Sequence, residues 1–107
     1  QLAACTPRAL AEAPEIRDAA QWFARERQWI QDRHLKLCRI AAPTFFEEKR
    51  AAWISEQLQD LGWDAKLDRA GNVIATQRGH QDRPAVALTA HLDTVLAPRT
   101  PEEIRQH

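Results

Sequence analysis

Ala85-Val86-Ala87-Leu88-Thr89-Ala90-His91-Leu92-Asp93-Thr94-Val95 is the stretch whose reading decides how the rest of the chain is understood. It starts directly after Pro84 as a continuous apolar run. Such a run is short for a helix and has the branched composition of a strand buried on both faces. It ends on His91 and Asp93 at spacing i, i+2. Alternate residues of an extended chain share a face, so an imidazole and a carboxylate arrive together at the strand's carboxyl end. In open α/β sheets that end is where ligands bind. Neutral imidazole is a good zinc ligand, and a metal-bound His passes its other N–H to a carboxylate or carbonyl that orients it. A His-x-Asp triplet alone carries little information; its position after an apolar strand is what makes His91 and Asp93 candidate site residues.

Upstream of this strand the pattern changes period. Trp63 to Leu67 alternates apolar and polar, Asp68-Arg69-Ala70-Gly71-Asn72 has turn composition, and Val73 to Thr76 reads as the returning strand of a hairpin. Before the hairpin, Phe46, Trp53, Ile54, Leu58 and Leu61 fall at helical spacings, with Gly62 as the stop. Thr44-Phe45-Phe46-Glu47 has the form of a capping box at that helix's start. A longer helix is expected from Glu15 to about Ala41, where Ile16, Phe23, Ile30 and Leu37 recur every seven residues and Pro43 forbids continuation. Trp22 and Trp29 form a second stripe, read as wide core packing in preference to a partner surface. His34 and Cys38, at i, i+4, lack a second ligand pair and read as packing residues. Gln1 to Pro14 reads as a loose lead-in, and His80 in the polar loop Gly79–Arg83 as solvent-exposed.

Five segments, in this order, resemble metallopeptidase family 20. Leu37-Cys38-Arg39-Ile40-Ala41-Ala42-Pro43-Thr44 is similar to the family's L-x-x-I-x-S-P opening, with Ala42 where Ser is common. Glu47 and Glu48 fall where a Glu opens the next helix. Leu61-Gly62-Trp63 follows that helix, Gly71-Asn72-Val73-Ile74-Ala75 matches a G-N-V-I-A strand, and Thr89 to Val95 matches the first metal motif. The family includes peptidase T, carboxypeptidase G-type enzymes, acetylornithine deacetylase and succinyl-diaminopimelate desuccinylase. The resemblance covers about Leu35 to Val95.

The resemblance implies a zinc-dependent hydrolase acting on amide bonds of peptides or N-acyl amino acids. It implies two zinc ions, with cobalt or manganese as alternatives, His91 as a metal ligand, and Asp93 as the catalytic-site carboxylate that orients it. The family's bridging Asp, its Glu-Glu general base and its later ligands have no counterpart here. Glu102-Glu103 comes too soon after His91 and reads as a helix start, capped by Thr100 with Pro101 first. The expected architecture is therefore α/β: two N-terminal helices packed on part of a mixed sheet. Residues 1–14 would be the lead-in, and 15–107 the incomplete N-terminal part of a catalytic domain, inactive alone.

Composition bounds the remaining choices. The 107 residues suit one domain, and the 15 basic and 15 acidic residues show no basic stripe, which argues against nucleic-acid binding. No apolar run reaches transmembrane length. Two cysteines, Cys5 and Cys38, are too few for a disulfide scaffold, so a reduced, cytoplasmic protein is expected. Leu2-Ala3-Ala4-Cys5 also has the form of a lipoprotein cleavage box, which makes export through Cys5 a minor alternative. A homodimer is among the states expected of the full-length protein. The rival reading is a non-catalytic helical interaction module that uses Trp22 and Trp29 and carries a degenerate enzyme strand.

Overall fold

The computed structural model describes residues 6–79 and 82–106. Cys5 and His80 lie outside the described residues, and with them the expectations attached to each. The chain divides into two compact units between His34 and Leu35. It is α/β, with four α-helices and one two-stranded antiparallel sheet among the described residues. None of these helices is long and apolar enough to cross a membrane.

The first unit is helical. Helix α1 spans Pro7–Glu12, inside the stretch read from the sequence as a loose lead-in. Thr6 caps it: the hydroxyl oxygen accepts from the Ala9 N–H at 3.1 Å, and Pro7 takes the first helical position. Pro14 forces its predecessor out of the helical region, and Ala13 accordingly sits at φ −62°, ψ 135°. Helix α2 then runs Pro14–Arg25, and α3 runs Arg27–Arg39 across the division between the units. The single helix expected over Glu15 to Ala41 is thus interrupted at Glu26 (φ −97°, ψ 21°), where no Gly or Pro signals a break. The Trp22 stripe is a second correction. No residue of α2 or α3 is fully buried; instead Trp22 meets Phe23 and Trp29 edge-on, with centroids 5.2 and 6.0 Å apart. The Arg33 guanidinium lies 5.3 Å over the Trp29 ring.

The second unit is built around α4, Glu48–Asp60, and a hairpin of β1, Asp64–Leu67, and β2, Val73–Thr76. The strands pair with Ala65 opposite Ala75 and Leu67 opposite Val73. Because strand side chains alternate, these four residues share one face, and α4 packs against both strands. The contact is made with small side chains. Ala51 and Ser55, one helical turn apart, are buried on α4, as is Ala65 on β1, so helix and sheet approach closely. Gln59 strengthens the contact by donating from Nε2 to the Ala65 carbonyl at 2.8 Å. Trp53, Ile54 and Leu58, expected to form the core face, are half-buried, and Phe46 and Leu61 are exposed.

The turns are set by specific residues. Gly62, at φ +90°, ends α4 in a Schellman arrangement: Trp63 N–H donates to the Leu58 carbonyl and Gly62 N–H to that of Gln59. In the hairpin loop the Asp68 carboxylate accepts from the N–H groups of Ala70 and Asn72 and from the Asn72 side-chain amide. Gly71, at φ +88°, supplies the left-handed residue that closes the loop.

The expected central strand is absent. Ala85–Ala90 is irregular, pairs with neither β1 nor β2, and is exposed throughout, with Val86 at 88% and Leu88 at 96%. An apolar strand buried on both faces needs neighbours on each side, and the described residues supply only the hairpin. The expected mixed sheet is corrected to a two-stranded antiparallel one. Pro101–Glu103 forms one 3-10 turn with Thr100 at its cap position and Pro101 first, where a helix start was read.

Candidate functional site

The segment carrying His91 and Asp93 has no regular structure, so it is held by individual hydrogen bonds. Thr94 N–H donates to the Ala42 carbonyl at 2.9 Å, which joins the segment to the loop between α3 and α4. Ala42 itself is fully buried. A second tie comes from the turn after Pro43. There Phe46 N–H donates to the Pro43 carbonyl at 2.8 Å, and Phe45 adopts φ 72°, a left-handed value uncommon for an aromatic residue. Phe45 N–H is engaged by Glu47 Oε1 at 2.8 Å. The turn places the Thr44 hydroxyl 2.8 Å from Asp93 Oδ2, to which it donates. The expected capping box is not formed: α4 begins at Glu48 with Glu47, not Thr44, at the cap position and no side-chain cap, while the Thr44 hydroxyl donates to Asp93.

His91 and Asp93 are brought together, although not by a strand. His91 Nδ1 lies 2.9 Å from the Asp93 carbonyl oxygen and 3.2 Å from Asp93 Oδ1. Both oxygens are acceptors, so a neutral His91 carries its proton on Nδ1 and keeps its lone pair on Nε2. The ring is 84% exposed. Asp93 is held ionised below the ordinary value of 3.8, first by the Thr44 hydroxyl bond; partial desolvation opposes this, and the bond from its own backbone and the nearby His91 add to it. Its two oxygens are divided between partners, Oδ2 to Thr44 and Oδ1 to His91.

Arg50 is the residue that reading the sequence missed. It is 1% exposed, the largest fully buried side chain among the described residues. Its partners are neutral oxygens. Nε and Nη2 donate to the Ile40 carbonyl, and Nη1 donates to the Leu92 carbonyl at 2.7 Å and to Thr94 Oγ1 at 3.0 Å. A buried guanidinium is tolerable only when its donors are used, and among the described residues no buried side-chain nitrogen or oxygen lacks a partner. A signal was present: Arg50 stands four residues after Phe46 and four before Ile54, a charged residue in an apolar helical row.

Donor chemistry sets what this site can hold. One imidazole whose Nδ1 is taken by a carboxylate and a carbonyl suits a zinc ligand acting through Nε2. Among the described residues no three His, Cys, Asp or Glu side chains come together, so the pair is not a full ligand set. His34 is exposed and Cys38 is a half-buried free thiol. Glu102 and Glu103 lie in the 3-10 turn, where Glu103 Oε2 accepts from the Arg99 N–H at 3.0 Å.

Comparison with curated proteins gives matches over part of the chain. It is 40% identical over 60 residues to a protein of Pyrococcus abyssi (strain GE5 / Orsay) named as a LysW-lysine/LysW-ornithine hydrolase, covering 56% of this chain and 17% of that protein. A protein of the same name from Pyrococcus furiosus is 37% identical over 60 residues, or 18% of its length. The cytosol non-specific dipeptidase of Escherichia coli (strain K12) is 32% identical over 71 residues, 64% of this chain and 15% of the enzyme. The matched stretch is thus less than a fifth of each relative's length. No protein-family profile matches the chain, and no solved structure matches it significantly.

Proposed function

From a chain related over 60 to 71 of its residues to hydrolases of metallopeptidase family 20, we propose that it contributes one metal-binding corner to a zinc-dependent amide hydrolase. The observation that carries this reading is the His91 ring, its Nδ1 turned to the Asp93 carboxylate and carbonyl and its Nε2 left as the electron-pair donor. His91 is the proposed ligand to one of two zinc ions. Asp93 is the carboxylate that holds the ring, and Thr44 holds Asp93. When bound, the metal polarises the scissile carbonyl and lowers the pKa of a water. The residues of this chain orient the imidazole and keep its proton on Nδ1. The proton transfer needs a general base, for which Glu102 and Glu103 are not proposed.

The substrate class proposed is an amide at an amino acid: a short peptide, as the dipeptidase relative's name indicates, or an N-acylated amino acid. The word cytosol in that name supports a cytoplasmic location for the same reading. A catalytic zinc takes about three protein ligands and an open position. The chain alone is therefore expected to bind zinc weakly and to hydrolyse nothing. Equilibrium dialysis with zinc, run beside assays on dipeptides and N-acyl amino acids, tests this. Binding that is lost in His91→Ala, with no turnover, is the expected result. Equal binding by the His91→Ala variant, or metal-dependent turnover by the chain, would contradict it.

One observation favours the interaction-module reading as a second. Trp22, Phe23 and Trp29 are exposed and stacked edge-on, available to a partner. A partner that quenches tryptophan fluorescence equally in the intact chain and in His91→Ala would support it.

A further inference from the structure

We propose that Arg50 is a positioning residue for the metal corner, holding the His91-Leu92-Asp93 segment from its buried side. This rests on the reading of His91 as a zinc ligand. The segment lies in 84–98, which contains no helix or strand, so nothing periodic fixes its backbone. Arg50 does so instead. Its Nη1 donates to the Leu92 carbonyl, which belongs to the peptide unit joining Leu92 to Asp93. Fixing that carbonyl fixes the plane of the unit, and with it the directions in which the Asp93 backbone and side chain leave. Those directions bring both the Asp93 carbonyl and Oδ1 to the same His91 nitrogen. The same nitrogen of Arg50 donates to Thr94 Oγ1, so the segment is gripped on both sides of Asp93.

The other edge of the guanidinium is anchored just after α3. Nε and Nη2 both donate to the Ile40 carbonyl, next to the loop whose Ala42 receives Thr94 N–H. A planar fork with donors on two edges can bridge Ile40 to Leu92, which an ammonium cannot do with the same geometry. Arg50 touches neither His91 nor Asp93 through its side-chain bonds. It acts through the backbone between them, just as Thr44 acts on the Asp93 carboxylate from the opposite oxygen.

Zinc affinity by competition with a chromophoric chelator, together with the ring 15N shifts of His91 in the labelled chain, tests the proposal. The variants are Arg50→Gln, Arg50→Lys, Thr94→Val, Thr94→Ser and His91→Ala. We expect Arg50→Gln to bind zinc about tenfold more weakly, the scale of outer-shell losses, and its neutral ring to become a mixture of tautomers. Arg50→Lys should recover part of both. Thr94→Val should move both readouts in the same direction, and Thr94→Ser should restore them. If Arg50→Gln fails to fold, the Thr94 pair decides. Folded Arg50→Gln and Thr94→Val variants with the native zinc affinity and ring spectrum would overturn the proposal and leave Arg50 a folding residue only. If His91→Ala binds zinc as tightly as the parent chain, the metal reading fails, and the tautomer alone then decides whether Arg50 positions His91.

Discussion

Single side chains hold the candidate site. Thr44, by sequence a helix cap, is instead a donor to Asp93, and a local pattern cannot reveal a partner 49 residues away. His91 and Asp93 were legible because the chemistry needs both types close together; their i, i+2 spacing places them within reach even without a strand. Asp68 offers a test of such local reading elsewhere. The Asn72 side chain, then the Asn72 backbone N–H, hold its carboxyl below 3.8, against a small opposing desolvation. A carboxyl whose value is lowered by folding stabilises the protein above the unfolded value, and that contribution is lost as pH falls through the folded value. The Asp68 contribution to the hairpin should therefore fade as pH drops from around the unfolded value of 3.8 through the lower folded one. In Asn72→Ala, carboxyl NMR should show Asp68 titrating at higher pH, and the loss of stability in acid should be smaller and complete at a higher pH. An unchanged titration would show that the amide bond does not hold the carboxylate.

Among the elements, the ends were easier to read than the faces. Gly62 as stop, the Asp68–Asn72 turn and the hairpin stand where the sequence places them, since each follows from local backbone chemistry. The face of α4 did not. The apolar row from Phe46 to Leu61 predicts a core of large side chains, whereas Ala51, Ser55 and Arg50 are what α4 buries. Close packing against the Ala65–Ala75 pair selects small residues, and hydrophobicity alone does not encode that. Trp53 is half-buried. Trp53→Ala should then cost about 1–2 kcal/mol, below the 3–5 kcal/mol typical of a fully buried aromatic. Chemical denaturation measures this; a loss at the upper end would mean that the indole is part of the core.

For the whole molecule, the decisive stretch is the one least like its expectation. Ala85–Ala90 has strand composition and no strand partner, and it continues into Val95 and Leu96, which are also exposed. An exposed, unpaired apolar segment of strand composition is prone to pair with another chain. Sedimentation velocity should show association that rises with concentration, and Leu88→Lys should suppress it while leaving the helical circular dichroism unchanged. Association unaffected by Leu88→Lys would place the sticky surface elsewhere. The proposed metal corner is held by a few hydrogen bonds: Thr44, Arg50 and the Ala42 carbonyl hold its backbone and carboxylate. In that proposed site His91 presents Nε2 to a metal because Asp93 holds Nδ1. The 15N shifts of the His91 ring, recorded before and after zinc is added, test that claim most directly. The expected result is a neutral ring protonated on Nδ1 without zinc, and an Nε2 resonance that moves when zinc binds. A ring protonated on Nε2, or zinc that moves Nδ1 or leaves His91 unchanged, would contradict it.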